Sequence, residues 1–292
     1  MRRSLLFLPG NNPNMIINAA YLGADALIFD LEDAVSPAEK DAARLLVRNT
    51  MRYGDLSGVE VIVRINSSDT EYWRLDLDAI IPERPSIILL PKASTPEEVQ
   101  LVSDYIGEVE KRCGIAEGTV ALMPLIETAL GVENSYLIAK RERVCALFLG
   151  AEDLTADLQC KRTKEGREIE YARTRLVVAA RAAGVEVYDT PFTDVNDDEG
   201  IVIDAEYAKS LGFSGKAAIS PRHVEPINKA FSPTDADISY AYEVIEAIQI
   251  AKAEGKGAIS LRGKMIDAPI VARAERTIAA AEALGLGKRA TK

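Results

Sequence analysis

Residues 119–127, Thr119-Val120-Ala121-Leu122-Met123-Pro124-Leu125-Ile126-Glu127, and residues 144–152, Val144-Cys145-Ala146-Leu147-Phe148-Leu149-Gly150-Ala151-Glu152, are two short apolar runs that each finish on acid. Between them, residues 130–140 carry the 3.6-residue period of a helix. A short, almost uninterrupted apolar run is the mark of a strand buried on both faces, and two parallel strands need a crossover helix between them. The unit recurs outward in both directions. Further strand-like runs are Ser4–Pro9, Ala26–Asp30, Val59–Asn66, Ser86–Lys92, Val185–Thr190 and Ser214–Ser220. Helical segments are expected near 13–22, 37–53, 72–80, 95–111, 168–183, 197–211 and 222–230. Ser36-Pro37 and Ser94-Thr95-Pro96 supply start signals, and Gly184 and Gly212 supply stops.

Alternating strand and helix through residue 231 predict an α/β protein with a closed (β/α)8 TIM barrel. An open dinucleotide-binding sheet is disfavoured, because no Gly-x-Gly-x-x-Gly follows a strand. The pattern then changes. A helix is expected over 235–254, stopping at Gly255, then a Gly-punctuated hairpin over Lys256–Asp267, then a helix over 269–284. The expected organisation is a barrel over 1–231 and a small helical and hairpin C-terminal extension over 232–292, too small for an independent core and packed on its own or a neighbouring subunit.

The chain has 292 residues, 48% hydrophobic and 27% charged, ordinary for a globular protein. A net charge of −10 and a pI near 4.9 argue against nucleic-acid or anionic-membrane partners, though not against a small anion in a locally basic pocket. Cys113, Cys145 and Cys160 form no Cys-x-x-Cys pair, so neither a disulfide framework nor a zinc site is expected. The apolar run after Arg2-Arg3 is too short for a secretory leader and no stretch approaches a membrane span, so a cytoplasmic location is expected.

In a parallel barrel, chemistry gathers at the carboxyl ends of the strands. Here those ends read Phe29-Asp30-Leu31-Glu32-Asp33, Arg64-Ile65-Asn66, Pro91-Lys92, Ile126-Glu127-Thr128 and Gly150-Ala151-Glu152-Asp153. Strand alternation puts Asp30 with Glu32, Arg64 with Asn66, Glu127 with Met123 and Leu125, and Asp153 with Leu149 and Ala151. Each residue alone has a bland reading as a solvated loop charge, a helix cap or an ion-pair partner. Packing, however, does not call for acids and arginine at five strand ends. Crowded carboxylates either raise one another's pKa or hold a cation, and an oxygen-rich set suits Mg²⁺. With His223 as the single histidine, a Ser-His-Asp hydrolase or a His-rich metal site is strongly disfavoured.

From Arg2 to about residue 285 the chain resembles the citrate lyase beta-subunit family, within the HpcH/HpaI aldolase and acyl-CoA lyase group that also holds malyl- and citramalyl-thioester lyases. The likeness rests on Arg3-Ser4-Leu5-Leu6-Phe7-Leu8-Pro9-Gly10-Asn11, Phe29-Asp30-Leu31-Glu32-Asp33-Ala34-Val35, Arg64-Ile65-Asn66, Leu90-Pro91-Lys92, Ile126-Glu127-Thr128, Gly150-Ala151-Glu152-Asp153-Leu154 and Gly263-Lys264-Met265-Ile266-Asp267-Ala268-Pro269. It implies a trimer or larger ring with Mg²⁺ on Glu127 and Asp153, and Arg64 clamping a substrate carboxylate. On the same resemblance, Asp30 and Glu32 are expected to hold metal-bound waters or orient Arg64. Asp267 is expected to reach a neighbouring subunit's site as acid–base residue, and amides near Glu152 and Asp153 to receive the departing keto acid. Arg3 and Lys92 are expected to meet the phosphopantetheine or nucleotide end of the thioester. The activity implied is cleavage of a citryl thioester to oxaloacetate and an acetyl thioester, in a complex with an acyl carrier protein subunit and an acyl-transferase subunit. Arg162–Glu168, Tyr188–Asn196 and the absence of histidine in Ile219-Ser220-Pro221 favour this branch, although Ser220 departs from its common asparagine. A citramalyl- or malyl-CoA lyase, a Mg²⁺-dependent phosphoenolpyruvate enzyme and a non-catalytic scaffold subunit stay open.

Overall fold

In the computed structural model, which describes residues 1–253 and 259–286, eight parallel strands close into a barrel in sequence order. They are β1 (Ser4–Pro9), β2 (Ala26–Asp30), β3 (Glu60–Arg64), β4 (Ile87–Leu90), β5 (Ala121–Ile126), β6 (Ala146–Leu149), β7 (Glu186–Asp189) and β8 (Gly215–Ala218). Closure comes from β1, which pairs with β2 on one side (Leu5 with Ala26) and β8 on the other (Ser4 with Lys216). The helices are α1 (Pro13–Ile16), α2 (Lys40–Tyr53), α3 (Tyr72–Ile80), α4 (Pro96–Arg112), α5 (Ala129–Ala139), α6 (Ala151–Asp157), α7 (Glu170–Ala183), α8 (Asp198–Leu211) and α9 (Val224–Phe231).

Side-chain alternation explains the two layers. Leu5, Ala26, Ile28, Ile62, Leu89, Met123, Leu125, Ala146, Phe148, Tyr188 and Ala217 fill the interior. Their neighbours Leu6, Leu27, Phe29, Val63, Ile88, Leu122 and Leu149 face the helices. Each fully buried Leu or Phe contributes about 1.5–3 kcal/mol by leaving water. Helix ends follow the sequence signals. Thr95 and Glu98 form a capping box at the start of α4, and Gly184 and Gly212 end α7 and α8 in the left-handed region.

The barrel unit runs from Arg2 to Phe231, and a second compact unit begins at Ser232. The second unit contains α10 (Asp235–Ala253), the antiparallel pair β9 (Ile259–Leu261) and β10 (Lys264–Ile266), and α11 (Ala268–Ala283). The expected helix stop at Gly255 lies outside the described residues. Arg262 and Gly263, at φ 51° and 75°, make the two-residue turn with both angles positive that matches hairpin twist. Contrary to expectation, this unit has a small apolar cluster of its own, built on Ala241, Val244, Ile266 and Ala274.

One element differs from the strand reading. The sixth strand was expected through Glu152, but β6 ends at Leu149 and Ala151–Asp157 is helical. Leu149 belongs to the outer layer, so strand continuity would have turned Asp153 away from the barrel axis.

Candidate active site

The interior alternation of β2, β3 and β5 delivers the polar groups. Asp30 follows Ala26 and Ile28, Arg64 follows Ile62, and Glu127, one residue past β5, follows Met123 and Leu125. Arg64 donates from Nε and Nη2 to the two Asp30 oxygens at 2.7 and 2.6 Å, a bidentate pair, with its guanidinium 5.2 Å from the Phe7 ring centre. The Asp30 oxygens also accept the backbone N–H groups of Glu32 and Ala34. Lys40 fixes the same loop by donating to the carbonyls of Leu31 and Glu32 at 2.8 and 2.6 Å.

Glu32 is buried and lies 3.0 Å from both Arg64 Nη1 and Lys92 Nζ, yet neither of its oxygens has hydrogen-bond geometry. These are ionic contacts. Burial pushes the Glu32 carboxyl above its ordinary value, and Arg64 and Lys92 pull against that shift. For Lys92, burial alone would favour the neutral amine, but Glu32 outweighs it and the ammonium is held more firmly than usual.

Glu127 is 4% exposed. Its Oε1 accepts the backbone N–H of Lys92 at 2.7 Å, a donor aimed by the positive φ of Lys92, 54°. Burial, then the negative charges of Glu32 and Asp153, push the Glu127 pKa up to about 8. Gly150 makes room for this carboxylate. A Cβ there would stand 2.5 Å from Glu127 Oε2 and 2.8 Å from its Cβ, so any side chain would displace the acid.

Of these groups, Asp30, Arg64 and Glu127 open into one cavity of about 450 Å³ at the carboxyl ends of the strands. Asp30, Asp33, Arg64, Glu127, Glu152, Asp153 and Thr190 line it, against apolar walls from Phe7, Pro9, Leu125, Phe148 and Ile219. A few convergent polar groups in an apolar cleft of this size are what a small-molecule site requires.

The expected residues do not all meet there. Asp153 does, carried by the first turn of α6 rather than by strand alternation. Asn66 does not line the cavity. Its backbone and side-chain N–H groups both donate to the buried Asp76, which also pairs with Arg44. Arg3 is a correction as well. It precedes β1, at the opposite mouth of the barrel, where it is clamped to Asp25 at 2.8 Å, so it cannot meet a thioester entering at the strand carboxyl ends. Lys92 sits at the rim, its side chain 41% exposed. Glu152 is exposed, its Oε1 3.6 Å from Arg162 Nε. His223 is buried beside Phe192 and does not line the cavity. Asp267 caps α11, its carboxylate accepting from Ile270 N, in the C-terminal unit. Residues that sequence reasoning passed over are Phe7, Phe148, Thr190 and Gly150. The glycine directly before Ala151-Glu152-Asp153 was the available signal.

A strand-end site that combines buried acids with a bidentate arginine is that of a barrel enzyme acting on small acids. The chain belongs to the HpcH/HpaI aldolase/citrate lyase family, whose model matches residues 3–221, and it is a carbon–carbon lyase. It is 43% identical over 284 residues to citrate lyase subunit beta of Leuconostoc mesenteroides subsp. cremoris, covering 97% of this chain and 94% of that one. It is 32% identical to mitochondrial citramalyl-CoA lyase of Mus musculus, covering 97% and 87%. Among solved structures, CitE from Mycobacterium tuberculosis in complex with magnesium, acetoacetate and coenzyme A superposes with a TM-score of 0.80 at 29% identity, over 96% of this chain and 98% of that one. The citrate lyase beta subunit from M. tuberculosis complexed with oxaloacetate and magnesium gives 0.68 at 30%, over 80% and 97%. No helix among the described residues is long and apolar enough to cross a membrane.

Proposed function

We propose that this chain cleaves a citryl thioester to oxaloacetate and an acetyl thioester, with Mg²⁺ held by Glu127 and Asp153. The observation that carries the reading is the meeting of Glu127, Asp153 and Arg64 in one cavity. Among the described residues, no three carboxylate, imidazole or thiol side chains converge into a closed ligand cage. Magnesium does not need one, since it is commonly held by one or two carboxylates with water and substrate completing its shell. The fit is electrostatic too. Among the described residues, the five carboxylates Asp30, Glu32, Asp33, Glu127 and Asp153 outnumber the cations Arg64, Lys92 and Lys40 beside them, and burial disfavours the ionised form of Glu127 until a cation arrives. Bound Mg²⁺ supplies Lewis acidity toward the hydroxyl and neighbouring carboxylate of the substrate.

The chain's own residues do the rest. Asp30 takes two of the five N–H donors of Arg64, leaving donors on both Nη atoms for a planar substrate carboxylate. Amides of the first turn of α6 have no carbonyl within the helix to bond, and those of Glu152 and Asp153 are offered to the carboxylate of the departing keto acid. As the hydroxyl gives its proton to water and its oxygen becomes the keto carbonyl of oxaloacetate, the bond between the carbinol carbon and the thioester methylene breaks. The electron pair becomes the enolate of the acetyl thioester, and Asp267 of a neighbouring copy protonates its carbon. Lys92, at the rim, meets the carrier arm. The barrel over 1–231 and the extension over 232–292 work as separate parts, the extension packing on a neighbouring subunit in a trimer. The substrate arrives on an acyl carrier subunit loaded by a transferase subunit, in the cytoplasm.

The test is turnover of the purified chain on citryl-, citramalyl- and malyl-thioesters. Oxaloacetate should appear from the citryl thioester, only with Mg²⁺, and faster than pyruvate or glyoxylate from the others. Preference for either other thioester moves the chain to that branch, and no cleavage of any leaves a scaffold. Asp267→Asn should slow turnover about 10²-fold or more with Mg²⁺ affinity unchanged. Mixing Asp267→Asn with Arg64→Lys chains should restore activity, whereas no recovery would mean that sites are not shared.

A further inference from the structure

Behind the cavity wall, β7, β8, α7 and α8 enclose four charges. Arg173, Asp189 and Lys216 are at most 1% exposed, and Asp204 is 7% exposed. Arg173 is bidentate to Asp189 at 2.9 and 2.8 Å and reaches Asp204 at 2.7 Å. Lys216 Nζ donates to Asp189 Oδ2 at 2.6 Å, lies 2.6 Å from Asp204 Oδ2, and spends a further donor on the backbone carbonyl of Thr190, also at 2.6 Å. Burying these ions costs several kcal/mol each before pairing, and apolar packing would serve stability at least as well. What distinguishes the cluster is its output. The Thr190 side chain lines the cavity, and its Oγ1 accepts the N–H of Ala151 at 3.1 Å. Ala151 is the first residue of α6, and Asp153 lies in that same turn.

We propose that Lys216 is a positioning residue for the metal site: through Thr190 it sets where α6 begins and so where the Asp153 carboxylate stands. The chain of contacts is continuous from Lys216 Nζ to Thr190 O, then Thr190 Oγ1 to Ala151 N, then along a single helical turn to Asp153. A side chain two contacts away thereby governs the ligand's place, as groups beyond the ligands do in other metal sites. The inference rests on Asp153 holding the metal.

The test is Mn²⁺ binding to the purified full chain, read by electron paramagnetic resonance, so that it does not depend on turnover. Lys216→Met combined with Asp204→Asn removes one charge of each sign and leaves the Arg173–Asp189 pair intact. Thr190→Val removes the acceptor for Ala151 N–H while keeping the side-chain shape. Both variants should bind Mn²⁺ about tenfold more weakly, within the range found when outer partners of ligands are removed. The metal-free melting temperature should change little, and Thr190→Ser should restore affinity to near the wild-type value. If the double variant does not fold, Lys216→Gln, which keeps a neutral donor, is measured in its place and should also weaken binding. Wild-type affinity in the folded variants, with Glu127→Gln still abolishing binding, would overturn the role of Lys216 alone. Absence of an Mn²⁺ site in the wild-type chain, or full binding by Glu127→Gln, would instead remove the metal reading and this inference with it.

Discussion

Replacing Glu127 with Gln is expected to abolish Mg²⁺-dependent cleavage and, at the same time, to stabilise the metal-free protein. The two effects have one cause. The Glu127 carboxyl is pushed up to about 8 by burial and by the charges of Glu32 and Asp153, against its ordinary 4.5. The folded chain therefore retains a proton that the unfolded chain releases. The resulting cost to stability is absent below pH 4.5, grows as pH rises, and is complete above pH 8. At pH 8 the neutral amide should recover about 2–4 kcal/mol, since each pKa unit is worth roughly 1.4 kcal/mol. The amide oxygen can still accept the Lys92 N–H, so the fold should be kept. Thermal melts at pH 5 and pH 8, with and without Mg²⁺, check this. The variant's advantage should be small at pH 5 and large at pH 8, and Mg²⁺ should raise the melting temperature of the wild type only, because the ion binds the native state. Equal melting temperatures at pH 8 would mean that Glu127 is not held in the protonated form.

Arg64→Lys should lower kcat/KM for the citryl thioester about 10³-fold, chiefly through KM, while Mg²⁺ affinity stays within a few-fold. Lysine keeps the charge but cannot offer a planar pair of donors, and two charge-assisted hydrogen bonds at about 1.5–3 kcal/mol each set that scale. Alanine would be a poorer probe. It would leave Asp30 buried without its paired cation and Glu32 with Lys92 alone, a loss of about 3–5 kcal/mol in stability that would mix folding with chemistry. Steady-state kinetics of Arg64→Lys decides the matter. An unchanged KM would place the carboxylate clamp elsewhere.

The barrel was legible because its strands obey one rule along their length. Ala26, Ile28 and Asp30 point inward together, as do Met123, Leu125 and Glu127, so the alternation that builds the core also aims the acids. The same rule failed at Asp153, because Gly150 ends the strand and a helix begins, changing the period from 2.0 to 3.6 between Leu149 and Asp153. Asn66 was misplaced for a related reason. It lies beyond β3, and the buried acceptor Asp76 claims it. Arg3 was assigned to the thioester by resemblance alone, and its position before β1 already put it at the wrong mouth. The Lys216 cluster was invisible in a different way. Its members come from two strands and two helices, so no local window brings Arg173, Asp189, Asp204 and Lys216 together. A lysine in the middle of an apolar strand was the one sign.

Crystals of the full chain grown with Mn²⁺ and measured at the manganese absorption edge give the most direct test of the metal site. An anomalous peak should lie at roughly 2.0–2.2 Å from carboxylate oxygens of both Glu127 and Asp153. A peak at other residues, or none at saturating Mn²⁺, would contradict it.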